Sequence, residues 1–479
     1  NGRGASDSET VERLRIVQDS VLTKANEHAR GKESEKPARL DALKTALAER
    51  KAAMTELALT DPKAVRRFML DDGARESIPE AARSLVEKPF AKEGVYRIAL
   101  VSDLLLDESE KSHEEYFLEV SDTERYRLAL TEAEAYQIEP ETRVTVTGVA
   151  LSDIIVIPTE MAENGDHEGV VLGASTVKKL AVVAFNFRNN PIQPITTDEL
   201  RRRIFTNTNS VSAHMRENSY GMWDIQGRDS AAGDVYGWVT IDIDPSQDTQ
   251  CAGYNTWANA ANQALAAQGV SMTGYTNIQY VFPKNGTWCN WGGLAYMPGT
   301  TSWVIADYVG AGGISAHELG HNYGFHHSTK YLCTVATSAL GACSYDEYGD
   351  GYDPMGGTRM VHYNNYHKSK YWYQPSEIVT VSQSGTYTLE ATTDTVTGGA
   401  QVLRIKRPFA VGSTYFSTGY YDLEYRISQG FDGGLPAEAK NVLSVRLVES
   451  DYTSGNKKTY LVRTVPIGSP LVDAEGGIT

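Results

Sequence analysis

The chain has 479 residues, of which 41% are hydrophobic and 22% charged, a composition typical of globular proteins. This length exceeds what one hydrophobic core usually serves, so we expect about three or four structural units. The formal net charge of -16 argues against a nucleic-acid partner, because lysine and arginine are scattered and phosphate would be repelled. No apolar run reaches the roughly 18 residues that a membrane-spanning helix needs, so we expect no membrane span. We also expect a monomer.

Two amphipathic patterns, at residues 9–30 and 38–59, predict helices in the first segment, residues 1–90. A coiled-coil hairpin and a small bundle both fit these patterns. Residues 91–160 instead predict a small β domain. They contain four short runs rich in β-forming residues: Tyr96–Leu106, Tyr116–Val120, Tyr126–Leu130 and Arg143–Ile157.

A polar, glycine-bearing stretch at 161–177 reads as a linker. The next segment, 178–375, begins with a predicted strand at Lys179–Phe187 and contains all the candidate chemistry. Residues 376–479 predict a β-sandwich-like domain from alternating runs at Ile378–Val381, Thr386–Leu389, Val402–Ile405 and Tyr420–Ile427. The fold class that we predict is therefore α+β and multidomain.

The four cysteines, Cys251, Cys289, Cys333 and Cys343, all lie in the segment 178–375. Their even number and confinement favour two disulfides and an oxidising compartment, so we expect a secreted protein. Sequential pairing, Cys251 with Cys289 and Cys333 with Cys343, closes the shorter loops and is the pairing that we expect. Four buried free thiols are the alternative. The chain begins at Asn1 without an initiator methionine, which either a removed signal peptide or a trimmed sequence explains.

Four of the 10 histidines fall within one run of eleven residues, His317-Glu318-Leu319-Gly320-His321-Asn322-Tyr323-Gly324-Phe325-His326-His327. His317 and His321 are four residues apart, so they share one face of a helix and can bind one ion. Gly324 can end that helix in a left-handed turn, which would bring His327 to the same ion. Three neutral imidazoles are typical of a catalytic zinc site, and Glu318 is placed to exchange protons with water. Coincidental packing or solvation of these histidines is the alternative.

This HExxHxxGxxH spacing resembles the metzincin clan of zinc proteases, which implies a twisted mixed sheet with an active-site helix. The resemblance also implies a methionine in a tight turn beneath the metal. Met355, in Tyr352-Asp353-Pro354-Met355-Gly356-Gly357, fits that position. An ordinary core methionine is the other interpretation.

Within the clan, the sequence is most similar to the gametolysin family, peptidase family M11, over residues 178–390. The similarity includes Trp291-Gly292-Gly293-Leu294-Ala295-Tyr296, Ser302-Trp303-Val304 and Tyr371-Trp372-Tyr373. It implies that an edge strand binds extended peptide substrates, and Gly293, Leu294, Ala295 and Tyr296 form our candidate. An ordinary interior strand is the alternative. Pappalysin-like and other bacterial metzincin families share the zinc motif.

Some metzincins have a tyrosine two residues after the turn methionine, but here Gly357 occupies that position. Tyr363 and Tyr366 are the nearest substitutes. His326 is the alternative third ligand, although the spacing favours His327. Asp346, Glu347, Asp350 and Asp353 predict either a calcium site or a solvated acidic loop, and Asp353 is also a candidate for orienting a zinc ligand.

A helical and β region precedes the predicted catalytic segment, so we expect residues 1–160 to be a propeptide, residues 161–177 to contain the maturation site and the chain to be an uncleaved zymogen. A cysteine plug is excluded because no cysteine precedes the predicted catalytic segment. Asp166 is our candidate for a latency ligand on zinc, and a plain linker is the alternative. We therefore expect a secreted zinc endopeptidase that cleaves extracellular proteins. A protease dedicated to a cell-wall or matrix glycoprotein, and an inactive binding module, are the competing interpretations.

Overall fold

The computed structural model describes most of the chain. The described residues are 3–70, 72–102, 113–121, 123–135, 138, 140–157, 176–248, 251–284, 289, 291–310, 312–332, 344–392, 398–407, 419–449 and 458–472. The chain divides into two compact units. The first comprises Asn1–Ile98 and Glu115–Glu168, and the second comprises Ala99–Glu114 and Gly169–Thr479.

Long helices dominate the start of the first unit, as the amphipathic patterns predict. The helices are α1 (Arg3–Arg30), α2 (Lys36–Thr60), α3 (Pro62–Arg66), α4 (Asp72–Ser77) and α5 (Glu132–Ala135). Leu14 and Val21 of α1 and Leu47 and Leu57 of α2 are fully buried, so the apolar stripes of the two helices form the core. Helix α3 begins at Pro62, and the side chain of Asp61 caps it by accepting a hydrogen bond from Ala64 N at 2.9 Å.

A β region completes the first unit and confirms the predicted strands there, except that residues 103–106 of the predicted run Tyr96–Leu106 lie outside the described residues. The strands are β1 (Lys88–Ser102), β2 (His113–Ser121), β3 (Glu124–Ala129), β4 (Arg143–Leu151) and β5 (Ile154–Val156). Their order across the sheet is β2-β3-β5-β4-β1. Strand β1 belongs to this unit up to Ile98, and its last four residues, Ala99–Ser102, belong to the second unit.

The second unit begins with a mixed sheet and the helices that pack on it. The strands are β6 (Thr176–Phe187), β7 (Trp223–Gln226), β8 (Asp234–Ile241), β9 (Asn277–Phe282), β10 (Gly293–Tyr296) and β11 (Thr301–Ile305). The helices are α6 (Thr197–Arg201), α7 (Val211–Asn218), α8 (Tyr254–Ala266) and α9 (Gly313–Asn322). Strands follow the order β10-β11-β9-β6-β7, and β8 also pairs with β6. Only the β10–β11 pair is antiparallel within this set.

A second mixed sheet follows in the same unit. Its strands are β12 (Ser328–Leu332), β13 (Ser344–Asp346), β14 (Ile378–Val381), β15 (Ala391–Thr392), β16 (Val402–Arg407), β17 (Gly419–Arg426), β18 (Val442–Glu449) and β19 (Thr459–Pro466). The order is β13-β12-β19-β18-β17-β16-β14, with β15 on β17, and α10 (Asn365–Ser369) lies between β13 and β14 in sequence. The strand predicted at Thr386–Leu389 is wrong, because these residues form no strand.

The disulfide predicted between Cys251 and Cys289 is present. Cys333, Cys343, Asp166 and residues 161–175 lie outside the described residues, so their predicted pairing, latency role and linker character stay predictions. Among the helices described, none has both the length and the apolar character that crossing a bilayer requires.

Candidate metal centre

Helix α9 is fixed at both ends by glycines in left-handed conformations, which other residues adopt at a cost. Gly312 precedes the helix with a φ of 96°, and Gly324 follows it with a φ of 77°. Gly324 N donates to His321 O at 2.8 Å, and Phe325 N donates to Gly320 O at 2.9 Å. The turn predicted at Gly324 is therefore present, and it directs the chain back toward the helix.

Three histidines converge after this turn. His317 and His321 lie one turn apart on α9, and their Nε2 atoms are 3.0 Å from each other. One ring nitrogen from each of His317, His321 and His327 lies within 4.8 Å of the other two, and all three side chains are fully buried. Among the described residues, this is the single group of histidine, cysteine and carboxylate side chains that could hold a metal ion.

Each imidazole has a partner at Nδ1, which fixes its ring orientation. His317 Nδ1 lies 2.8 Å from Pro354 O and 3.0 Å from Gly357 O. His321 Nδ1 lies 2.7 Å from Phe325 O, and His327 Nδ1 lies 3.0 Å from Glu347 Oε1. Because these oxygens accept hydrogen bonds, Nδ1 carries the proton in each ring and Nε2 presents its lone pair to an ion.

The surroundings keep these histidines neutral. Burial lowers the pKa of His317 to about 3, and the nearby imidazole of His327 adds to the effect. Burial likewise lowers the pKa of His321, and in addition His317 and His327 disfavour its charged form. Burial also lowers the pKa of His327, although Glu347 opposes that shift. Neutral imidazole is the form that binds a metal, so the site needs no deprotonation near neutral pH.

Glu318 follows the first histidine and lies against strand β10. Its side chain is fully buried, and neither carboxylate oxygen has a hydrogen-bond partner among the described residues. Burial raises its pKa well above the ordinary value. A Cβ atom at Gly293 would lie 2.1 Å from Glu318 Oε1, so the glycine makes room for the carboxylate. A buried carboxylate without protein donors is typical of a functional rather than a structural acid.

The turn that contains Met355 lies directly beneath α9. Pro354–Gly356 form one turn of 3-10 helix, and Met355 is fully buried. A Cβ atom at Gly320 would lie 2.4 Å from Met355 Sδ, so the sulfur packs on the glycine between the two helical histidines. Asp353 holds this turn by accepting hydrogen bonds from Met355 N and Asn364 N, each at 2.6 Å. Asp353 Oδ2 also lies 3.3 Å from His367 Nδ1, and among the described residues it makes no hydrogen bond to a histidine of the metal group.

The acidic loop after β12 supplies a contact that the sequence did not assign. Glu347, Asp350 and Asp353 are buried, so the loop is not simply solvated. Glu347 contacts His327, whereas Asp350 Oδ2 accepts a hydrogen bond from Arg446 at 2.7 Å. These carboxylates therefore face different partners rather than one ion, and calcium binding stays a prediction without support from these contacts. The ring of Tyr348, also unassigned, lies 4.5 Å from that of His327, centroid to centroid.

Strand β10 contains the candidate substrate-binding residues but is not the predicted edge strand in the full chain, because it pairs on both sides. It is antiparallel to β11 on one side and to Ala99–Ser102 on the other, with Ser102 opposite Gly293 and Ala99 opposite Tyr296.

Tyr363, a candidate substitute for the absent tyrosine after the turn methionine, and His326, the alternative third ligand, make other contacts. The hydroxyl of Tyr363 donates to Ala316 O at 2.8 Å, and His326 Nδ1 lies 3.9 Å from Glu114 Oε1.

Three buried, neutral nitrogen donors beside a buried carboxylate fit zinc, which prefers imidazole nitrogen and accepts three protein ligands in catalytic sites. A comparison with known protein families agrees with this geometry. The sequence profile of the gametolysin peptidases, family M11, matches residues 179–469. No curated protein matches the chain at a significant level.

Proposed function

Because the chain belongs to the gametolysin family of metallopeptidases, we propose that it is a secreted zinc endopeptidase that hydrolyses peptide bonds in extracellular proteins. The convergence of His317, His321 and His327 is the observation that carries the proposal, together with the buried carboxylate of Glu318, which follows His317 in the chain. The disulfide between Cys251 and Cys289 supports secretion, because such bonds persist in oxidising compartments. The region that matches the family, residues 179–469, extends beyond the predicted end of the catalytic segment at residue 375. The predicted boundary between that segment and a C-terminal domain therefore stays a proposal.

Each residue of the site has a role in this mechanism. The three histidines would hold the zinc ion through Nε2. When bound, zinc would polarise both the attacking water and the peptide carbonyl. Glu318 accepts the proton of that water and then delivers it to the leaving amine. Burial raises the pKa of Glu318 above its ordinary value, which favours uptake of that proton. Met355 and Gly320 keep the helix and the turn in contact.

Glu318→Gln tests the mechanism. The amide keeps the size of the side chain but cannot accept the proton, so we expect hydrolysis of casein by the proteolytically activated protein to fall by about 100- to 10,000-fold. Zinc content should stay at one ion per chain, since the three histidines are unchanged. A chelator should abolish hydrolysis by the unmodified protein. Unchanged hydrolysis in the variant, or a purified protein without zinc, would contradict the proposal.

A narrower substrate range is the second candidate. An enzyme dedicated to one cell-wall or matrix glycoprotein would bind zinc and leave casein intact. Profiling with a peptide library then separates this case from an inactive binding module, because only the module would cleave no peptide at all.

We further propose that the N-terminal region makes the full chain a zymogen. Ala99–Ser102 supports this proposal, since these residues pair antiparallel with β10, the strand that we expect to bind substrate. The pair ends with Ser102 opposite Gly293, the residue in contact with Glu318. A peptide substrate cannot pair with β10 while these residues do. Asp166 is an additional proposed latency ligand, and Asp166→Ala tests it separately.

Val101→Pro tests the role of this strand. Proline restricts the backbone and removes an N–H group, so it disrupts an internal position of a β pair. We expect the uncleaved variant to hydrolyse a fluorogenic peptide that the uncleaved unmodified chain hydrolyses slowly. Val101→Ala is the control, because it keeps the N–H group and should stay latent. Equal activity of all three uncleaved proteins would refute the zymogen proposal while leaving the zinc mechanism intact.

A further inference from the structure

The third histidine differs from the other two in how its ring is held. His317 and His321 bind backbone carbonyl oxygens through Nδ1, whereas His327 binds the side chain of Glu347. Both His327 and Glu347 are buried, at 0% and 6% side-chain exposure. The orientation of the third ligand therefore depends on a side chain that lies 20 residues further along the chain.

A lysine that immediately precedes β19 of the second sheet holds that carboxylate. Lys458 Nζ donates to Glu347 Oε1 at 2.7 Å, the same oxygen that contacts His327. An isolated charge at this depth would be costly. The Lys458 ammonium supplies the compensating charge, because it forms an ion pair with the carboxylate that contacts His327.

The backbone of His327 is tied to the same segment. Thr459 N donates to His327 O at 3.3 Å, and Ser328 pairs with Thr459 in the parallel β12–β19 ladder. The hydroxyl of Thr459 also donates to Ser328 Oγ at 3.1 Å, across 131 residues of sequence. Residues 458–459 thus contact both the carbonyl of the third histidine and the carboxylate that orients its ring.

We propose that Glu347, held by Lys458, is a positioning residue for His327, so that the second sheet contributes directly to zinc affinity. The inference rests on the proposed zinc function. Its physical basis is that a carboxylate at Nδ1 fixes the tautomer and the direction of the ring and makes Nε2 a stronger donor. Through the contact between Lys458 and Glu347, the second sheet helps to orient a metal ligand in addition to its structural role.

The test compares zinc affinity in full-length variants by competition with a chromogenic chelator. Glu347→Gln keeps the shape of the side chain but removes its charge, and we expect zinc binding to weaken by about 10- to 100-fold. With cobalt in place of zinc, the visible absorption bands should also shift, because they report ligand geometry. Asp346→Asn is the matched control. It makes the same chemical change at the adjacent, exposed residue and should leave the affinity and the spectrum unchanged.

A second variant separates positioning from folding. Glu347→Gln removes the carboxylate that forms an ion pair with the half-buried Lys458, which would lower the stability of the metal-free protein. The double variant Glu347→Gln with Lys458→Met also removes the lysine charge and should recover stability without recovering zinc affinity. Affinity within about twofold of the unmodified protein in either folded variant would overturn the inference. An unmodified protein that binds no zinc would instead overturn the proposed function.

Discussion

The absence of a side chain at Gly293 should be required for fast hydrolysis. A Cβ atom there would lie 2.1 Å from Glu318 Oε1, 2.6 Å from Cδ and 2.8 Å from Cγ, whereas ordinary contacts are 3.4–4 Å. In Gly293→Ala, the carboxylate must therefore move by about 1 Å, and its complete burial limits where it can go. A displacement of about 1 Å in a reacting group can reduce the rate by about 100-fold.

The assay measures kcat, KM and zinc content with a fluorogenic peptide, after limited proteolysis removes the N-terminal region. Gly293→Ala should lower kcat. It should keep one zinc ion, because the three atoms nearest to the new methyl group all belong to Glu318 and none belongs to a histidine. Gly351→Ala is the matched control, because a Cβ atom at that position would meet nothing within 4 Å. A fully zinc-loaded Gly293→Ala enzyme with a kcat within about twofold of the unmodified enzyme would refute the reasoning.

Two further predictions concern stability. Arg66 lowers the pKa of Glu134 from 4.5 to about 2, so the folded state favours the anion, and the stabilisation present above pH 4.5 should be lost as the pH falls toward 2. Acid unfolding followed by circular dichroism should show a smaller loss in Glu134→Gln over that interval, and an identical loss would contradict the assignment. Arg446→Met removes an ion-pair partner from two buried carboxylates, Asp350 and Glu424, and should cost about 3–5 kcal/mol in denaturant unfolding. Arg188→Met, which breaks an exposed pair, should cost less than about 1 kcal/mol, and equal losses in the two variants would exclude burial as the cause.

The local part of the site could be predicted from the sequence because its geometry depends on short-range rules. Four-residue spacing on a helix brings His317 and His321 together, and Gly324 has the positive φ that returns the chain. The turn at Met355 follows from its proline and glycine neighbours. These features need no knowledge of distant contacts.

The remaining contacts depend on pairings that no local pattern contains. The sequence predicts a strand that includes Ala99–Ser102 but does not predict that it pairs with β10. Lys458 reaches Glu347 only because β12 and β19 are adjacent and parallel, a pairing across more than a hundred residues. Thr386–Leu389 has an alternating pattern yet forms no strand, since strand propensity depends on an available partner.

During synthesis, the three imidazoles leave the ribosome well before the strand that fixes the last of them. A nascent chain that ends within β17 contains the whole helix and the glycine bend, but it lacks Lys458 and Thr459. His327 then has neither the backbone donor nor the charge-compensated carboxylate that orient it in the finished protein. Stable metal capture should therefore come late in biosynthesis, after the second sheet closes, and chains stalled earlier should exchange zinc readily with their surroundings.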